Sequence, residues 1–505
     1  MFRILPHDNI HIRVVPNDRA EALELKEYFS FYADGYRFHP AFKAKRWDGR
    51  IQKFNVNTGL IERGLLFQVI DFCKERNYEL QVDPSLLETS NVDREEFYEF
   101  LKGLNFQSKG NPIELRDYQM DAAFECVNKK RKLVVSPVSS GKSAVISGIS
   151  RYLQTIFEPD EKILIVVPNV SLVNQFAFDL CDYFSNDEEW LKTDPIHTIF
   201  AGQEKNVESQ IIVSTWQSLH KMPKEYFGQF RALFVDECHL SESKAFSSVC
   251  EKCYNADYRF GFSGTVKDSK VHILTLEGMF GRTMVTITTR ELMDEGSVTE
   301  LDIKALLIKY PPDVCEQQRK INDYMTENDL IIMNEDRNRF ICKLALSQKG
   351  NGLILVDKIE KHSKPLLKMM KEMAGDRPIF YMVGEVKASE RERIRQELGN
   401  HNNAILIGNF QVLSTGLNIP SLAWLIFGSP TKSYARCIQS IGRILRLYTG
   451  KTLVTLFDLI DDMRIKPRTA IHENYAWKHA VERLNYYSDQ KFDVQMRKVP
   501  LFVKE

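Results

Sequence analysis

No stretch of this sequence approaches the ~18 consecutive apolar residues that cross a membrane as a helix. The opening run MFRILPHDNIHIRVV is broken throughout by polar residues and has no continuous apolar core of a secretory signal. Both absences make the cytoplasm the expected compartment, with no membrane partner. Surplus charge is missing too: 68 Lys and Arg balance 68 Asp and Glu. A uniformly basic, polyanion-coating chain is excluded, so any polyanion site must be a local patch. Cysteine is sparse, nine in 505 residues, and scattered. The CxxC of Cys250 and Cys253 has no second pair at zinc spacing, so it reads as part of a buried helical face. No repeat or low-complexity tract stands out.

What is present is apolar periodicity in three regions. Residues 1–105 mix short strands and helices, an α+β pattern. Lys102 to Asp117 is rich in Gly, Asn, Ser and Pro and reads as a linker. Runs starting at Lys132, Lys162, His197, Gln210, Ala232 and Arg259 then alternate with helical segments. A second series starts at Ile303, Leu353, Ile379, Ala404, Ala423 and Thr452. Near-continuous apolar runs spaced by helices predict parallel sheets covered on both faces. The expected organisation is an N-terminal domain at 1–105 and two α/β lobes at 106–298 and 299–505. A tail helix, with Trp477, Val481 and Leu484 at helical spacing, is expected to pack on the second lobe.

The segment SPVSSGKS, Ser136 to Ser143, lies between an apolar strand and a helical run. That context suits a phosphate-binding loop, in which backbone N–H groups and a helix N-terminus cradle phosphate oxygens. Ser139, Ser140, Gly141 and Lys142 would hold the nucleotide, with Lys142 reaching the β- and γ-phosphates and Ser143 ligating Mg²⁺. Ser136 stands where such loops usually begin with Gly. About 95 residues on, LFVDECHL ends a buried strand in an acid pair. At the C-terminal edge of an open α/β sheet, Asp236 would hold Mg²⁺ and Glu237 would orient and deprotonate the attacking water. ATP and Mg²⁺ are therefore the expected cofactors.

GKS followed by DECH resembles the DExH helicases of superfamily two, whose lobes are RecA-like. The resemblance extends to RDYQ, which makes Gln119 the candidate reader of adenine. It extends to VVPNVSLVNQ and STWQSL, which make Ser171 and Thr215 candidate strand contacts, and to FSGT, Phe262 to Thr265. In the second lobe, LSTGLNIP resembles motif five, with Thr415 expected at nucleic acid and Gly416 at the nucleotide. QSIGRILR resembles motif six, with Gln439, Arg443 and Arg446 expected to act in hydrolysis. Arg443 and Arg446, three apart, share a helical face. From the second lobe they would reach the γ-phosphate, so hydrolysis is expected to open and close the lobes on a strand.

Between Arg37 and Lys53 lie six basic residues, Arg37, Lys43, Lys45, Arg46, Arg50 and Lys53, against one acid, Asp48, with Tyr36, Phe38, Phe42 and Trp47 interleaved. Positive charge draws phosphates and aromatic faces stack on bases. Arg37, Lys43, Lys45, Arg46, Trp47 and Arg50 are the nucleic-acid candidates here. The arrangement FSFYADGYRFHPAF…RWDGRI is similar to the N-terminal region of the UvsW-like recombination helicases of large tailed phages. The likeness continues through TTRELMDEGSVTEL and FDLIDD. It implies an ATP-dependent helicase working in the host cytoplasm in phage recombination, repair and replication. The implied substrates are branched DNA, duplex and single strands, and RNA–DNA hybrids; the implied reactions are junction migration, fork regression and dissociation of R-loops and D-loops. A monomer is expected. Two other readings stand beside it: a double-strand translocase that never separates strands, and an annealing scaffold with an inert ATPase core, against which the presence of Lys142, Glu237, Arg443 and Arg446 argues.

Overall fold

The computed structural model describes residues 1–33, 35–200, 208–240, 243–265, 270–384, 386, 388–410, 419–465 and 472–501. Their contacts divide the chain into two units: Met1–Ser136 with Gly141–Thr286, and Pro137–Ser140 with Ile287–Glu505.

Strict alternation builds the N-terminal sheet. In β1 (Phe2–Pro6) and β2 (His11–Val15), Phe2, Ile4, Ile12 and Val14 are buried and their neighbours face out, the mark of a sheet with one covered face. A small antiparallel pair, β3 (Ser30–Tyr32) and β4 (Arg50–Gln52), forms a separate two-stranded sheet. The main sheet is completed by β5 (Leu60–Glu62) and β6 (Leu80–Val82), in the order β5-β2-β1-β6. Leu25 of the helix Arg19–Tyr28 joins Val69 and Phe72 of the helix Leu66–Glu75 in its core.

This sheet is docked on the first lobe. Leu274, on the helix Lys270–Phe280, belongs to the N-terminal core. Gln68 Nε2 donates to Glu277 Oε2 at 2.6 Å. A Cβ on Gly64 would lie 2.0 Å from the Glu277 carbonyl oxygen, so only glycine allows this backbone approach. Gly64→Ala is therefore expected to cost about 1–3 kcal/mol in denaturant unfolding. Gly103→Ala, where a Cβ meets nothing within 4 Å, should cost nothing in the same measurement.

The stretch expected to be a linker is ordered instead. The helix Arg94–Gly103 leads into a tight hairpin of β7 (Gln107–Ser108) and β8 (Asn111–Pro112), turned by Lys109 and Gly110 at positive φ. Phe106 is buried in the first-lobe core, which its polar neighbours conceal in the sequence.

The first lobe holds β9 (Arg131–Val135), β10 (Lys162–Val167), β11 (Ile196–Ile199), β12 (Ile211–Thr215), β13 (Phe230–Val235), β14 (Tyr258–Ser263) and β15 (Thr283–Val285). The order is β11-β12-β10-β13-β14-β9-β15, every pair parallel. The second unit repeats the plan with β16 (Glu300–Lys309), β17 (Asn351–Val356), β18 (Ile379–Met382), β19 (Ile405–Asn409), β20 (Leu422–Phe427), β21 (Leu453–Asp462) and β22 (Val494–Pro500). Here the order is β18-β19-β17-β20-β21-β16-β22, again parallel. The six expected strands are found in each lobe, and the α/β class holds. β15 and β22, both at sheet edges, were not expected. Cys250 and Cys253 are buried in the apolar core beneath the helix Lys244–Lys252.

The tail helix runs Tyr475–Asp489 and packs on the second sheet as expected, with Trp477 and Leu484 against the cluster of Ala305, Leu307 and Ile460, but Val481 lies off the buried line. Val481 is 39% exposed, whereas Ala476, Ala480, Arg483 and Tyr487 are buried. Polar chemistry sets the rotation. Arg483 Nη2 donates to Asp458 Oδ1 at 2.8 Å, and the Tyr487 hydroxyl to Asp458 Oδ2 at 2.9 Å. The buried Glu327 carboxylate accepts from the N–H groups of Tyr475 and Ala476 at 2.9 and 2.7 Å, capping the helix.

Candidate functional site

Adjacent parallel strands β13, β14 and β9 end side by side, which brings Asp236, Ser263 and Ser136 to one edge of the first-lobe sheet. The Ser136 N–H donates to the Ser263 carbonyl at 2.9 Å, and the Asp236 N–H to that of Val166 at 2.9 Å. Beyond β9 the chain turns through Ser139 at φ 70° and Gly141 at φ 81°, then enters the helix Lys142–Ile156. Left-handed residues ahead of a helix point successive N–H groups into one concavity, an anion nest. Lys142 Nζ donates to the Ser136 carbonyl at 3.0 Å, which holds the ammonium over the loop. Ser143, on the first turn of that helix, has its hydroxyl 2.8 Å from that of Tyr183.

Gln119 lies against this loop. Its Oε1 accepts from the Arg116 N–H at 2.8 Å, and its Nε2 is 2.3 Å from where a Cβ on Gly141 would stand. The glycine therefore serves two ends, a positive φ and room for Gln119. Ser140 is buried.

The acid pair is linked onward. Asp236 Oδ1 accepts from the Glu237 N–H at 3.0 Å. Glu237 sits at φ 52°, a conformation non-glycine residues seldom adopt and one that aims its side chain off the strand line. Its Oε2 is 3.3 Å from Nδ1 of buried His239, and that nitrogen is 2.9 Å from Ser263 Oγ. Ser263 Oγ in turn bonds the Thr265 carbonyl and accepts from the Thr265 N–H at 3.2 Å. The acid pair is thus wired to the segment after β14. Burial raises the Asp236 carboxyl above its ordinary range, the Glu237 charge raises it further, and Lys142 pulls it back.

The remaining candidates fall into separate groups. Ser171 is exposed on the first turn of the helix Val170–Tyr183, behind the cap Asn169. Thr215 is only 3% exposed, and its Oγ1 caps the helix Trp216–Leu219 by accepting from the Ser218 N–H at 3.3 Å. Ser414, Thr415 and Gly416 lie outside the described residues. In the second unit, Gln439 and Arg443 lie on the helix Tyr434–Ile444, and Arg446 follows just past its C-cap Leu445. Ile438, Ile441 and Ile444 are buried, which fixes the helix and leaves Gln439, Arg443 and Arg446 half-exposed at spacings of four and three.

In the N-terminal region the aromatics form a small stack: Tyr32 on Tyr36 at 4.5 Å, Tyr36 edge-on to Phe42 at 4.9 Å, and His39 edge-on to Trp47 at 5.2 Å. Trp47 is half-buried, its Nε1 donating to the Arg50 carbonyl at 2.9 Å. Two of the six cations are neutralised within the fold. Arg50 is paired with Glu27 at 2.5 Å and Lys53 with Glu62 at 2.8 Å. Arg37, Lys43, Lys45 and Arg46 are exposed with no carboxylate partner among the described residues, and Phe38 is 80% exposed beside them. Sequence reasoning missed Tyr183, which meets Ser143, and Thr286, whose hydroxyl donates to Ser136 Oγ at 2.8 Å. Neither is near the loop in sequence, so no motif marks them.

A phosphate-loop sheet with a wired acid pair, followed by a second parallel sheet carrying the GRILR helix, defines a superfamily-two ATP-driven helicase. Residues 2–83 match the family model of the DNA helicase UvsW N-terminal region, residues 112–268 that of the type III restriction enzyme res subunit, and residues 336–448 the helicase conserved C-terminal domain. The chain is 35% identical over 503 residues to the ATP-dependent DNA helicase UvsW of Enterobacteria phage T4, spanning 98% of this chain and 99% of that protein. The crystal structure of T4 UvsW aligns over 99% of this chain and 100% of its own, at 32% identity and a TM-score of 0.53. The type ISP restriction-modification enzyme LlaBIII bound to DNA shares the fold at 17% identity and a TM-score of 0.57, over 86% of this chain and 34% of its own. The chain belongs to the UvsW family of helicases.

Proposed function

We propose that this chain is a DNA helicase that remodels branched DNA, migrating junctions, regressing forks and dissociating R-loops and D-loops as a monomer in the cytoplasm of a phage-infected cell. The observation that carries the reading is the exposed N-terminal set of Arg37, Lys43, Lys45, Arg46 and Phe38, carried by a region docked on the first lobe. A second contact surface outside the motor segments suits a substrate with more than one arm.

In the motor, the loop from Ser139 to Ser143 holds phosphates and Lys142 carries the charge that meets them. Gln119 lies where a base would adjoin the loop, and Gly416 completes the nucleotide contacts. Glu237 is the base that takes the proton of the attacking water, held in place by its backbone conformation and His239. Ser143 and Asp236 offer a hydroxyl and a buried carboxylate raised by a like charge, a hard oxygen set that fits Mg²⁺. Bound there, the ion would neutralise phosphate charge. Gln439, Arg443 and Arg446 serve the γ-phosphate. Ser171, Thr215 and Thr415 mark the strand path, Thr215 through the helix end it caps rather than through its buried hydroxyl.

A second reading, a double-strand translocase, is favoured by the match of residues 112–268 to the res subunit of type III restriction enzymes. Triplex displacement without strand displacement would support it.

The test of the first reading targets the patch. Each phosphate neutralised adds roughly 0.9 to the slope of log affinity against log salt on duplex DNA. Replacing Lys43 and Arg46 by Ala, with Lys45→Asn, is expected to lower that slope by up to about 2.7, equally for unrelated sequences. Asn is chosen because Lys45 sits at φ 55°. Junction unwinding should fall further than strand-stimulated ATPase. An unchanged slope with intact junction unwinding would reduce the patch to packing.

A further inference from the structure

Beneath the first-lobe sheet, at the edge opposite the phosphate loop, the docked N-terminal sheet leaves a cavity of about 460 Å³. Arg131 opens β9 at this edge and Ser136 follows its other end, so the two edges are roughly 16 Å apart at the usual strand rise. Arg63, Phe67 and Leu87 wall it from the N-terminal side, and Lys129 to Lys132 with Arg282 from the lobe. We propose that this cavity is a second phosphate-bearing ligand site, which takes one nucleotide unit of a nucleic-acid strand.

Charge is the first argument. Six cations and two carboxylates, Glu88 and Asp257, line the cavity. Asp257 is occupied by Arg231 at 2.5 Å, Lys132 by Glu125 at 3.3 Å and Arg282 by Asp71 at 3.1 Å. Arg63, Lys129, Lys130 and Arg131 have no carboxylate partner among the described residues. Arg63 donates to Asn9 Oδ1 at 3.2 Å and Arg131 to the Asn9 carbonyl, each using one of five guanidinium N–H groups. Burial pushes both guanidinium pKa values down, Arg131 well down with the charges of Arg259 and Arg63 adding to the effect, while the charges of Asp257 and Asp8 offset part of it in both. A guanidinium keeps its proton in a protein, so a bound phosphate would meet two charged forks here.

Shape and surface supply the second argument. The volume falls in the ordinary range of ligand pockets, roughly 300–1,000 Å³. Phe67 is 41% exposed and Leu87 47% exposed at the rim. A flat ring beside unpaired cations is what a nucleotide needs, a face for the base and donors for the phosphate. A free acid would use the cations and leave the ring idle, and a bare metal ion would be repelled by the cations.

The test uses the full chain and a 4-thiothymidine oligonucleotide six residues long. Photocrosslinks are expected on the peptides holding Phe67 and Arg282. Lys129→Glu, at an exposed position, should lower the salt slope for this single strand by about 0.7, one contact. Phe67→Ala should cut crosslinking and leave the slope alone. Nucleic-acid-independent ATPase and the melting temperature should stay at wild-type values in both variants. Inorganic pyrophosphate, titrated as a competitor, separates the sources. Weak competition with a lowered slope marks a strand as the ligand, and full displacement marks a free phosphate compound. Crosslinks elsewhere, or an unchanged slope and yield in both folded variants, would overturn the proposal.

Discussion

Replacing Glu237 by Gln is expected to lower steady-state ATP turnover by about 10²–10⁴-fold, the range a positioned general base supplies. The change removes the base and keeps the shape. Glu237 already sits at φ 52° with its N–H held by Asp236, and glutamine can occupy the same backbone. Its neighbour His239 remains bonded to Ser263, so the link to the segment after β14 survives. ATP should still bind, because the nest and Lys142 are untouched. Lys142→Ala should behave differently and lose nucleotide affinity together with turnover, since its ammonium is the charge over the loop. A coupled ATPase assay beside titration with a fluorescent ATP analogue reads both quantities. Near-wild-type turnover in Glu237→Gln would remove Glu237 as the base.

The second large effect is expected at the arginines of the second unit. Alanine at the one that meets the γ-phosphate should lower kcat by about 10³–10⁵-fold, the range measured for arginine fingers in other nucleotide hydrolases. KM should change little, as expected for an interaction made only in the transition state. The helix should not suffer, because Ile438, Ile441 and Ile444 hold it in place. Lysine should not rescue, since it lacks the planar fork that meets two phosphate oxygens. Single-turnover hydrolysis by Arg443→Ala and Arg446→Ala separates the two roles. Normal rates in both would sink the assignment.

The parallel strands were legible because buried strands are apolar on both faces, and a run such as KILIVV has no other good use. β15 and β22 were not, because edge strands bury little. Val494–Pro500 reads VQMRKVP and is mostly exposed, so it carries no signal that a loop would lack. The tail helix was legible through Trp477 and Leu484, which pack on the second sheet, but its inward line also includes Arg483 and Tyr487, which enter the core only because Asp458 is buried there to receive them. At the candidate nucleotide site, contiguous motifs marked Lys142, Asp236 and Glu237, while Tyr183 and Thr286 arrive from elsewhere in the chain. The basic run from Arg37 to Lys53 overstated its free charge, because the partners of Arg50 and Lys53 are Glu27 and Glu62, outside the run. Thr215 shows the same limit, since a strand-end threonine reads alike whether it meets a ligand or caps a helix.

The most direct test is strand displacement on a labelled four-way junction, with a linear duplex of equal length beside it. Wild-type protein with ATP is expected to resolve the junction into duplex arms faster than it separates the linear duplex, and Glu237→Gln is expected to leave both intact. A junction that persists while junction-stimulated ATP hydrolysis proceeds would contradict the account and leave a motor that tracks DNA without remodelling it.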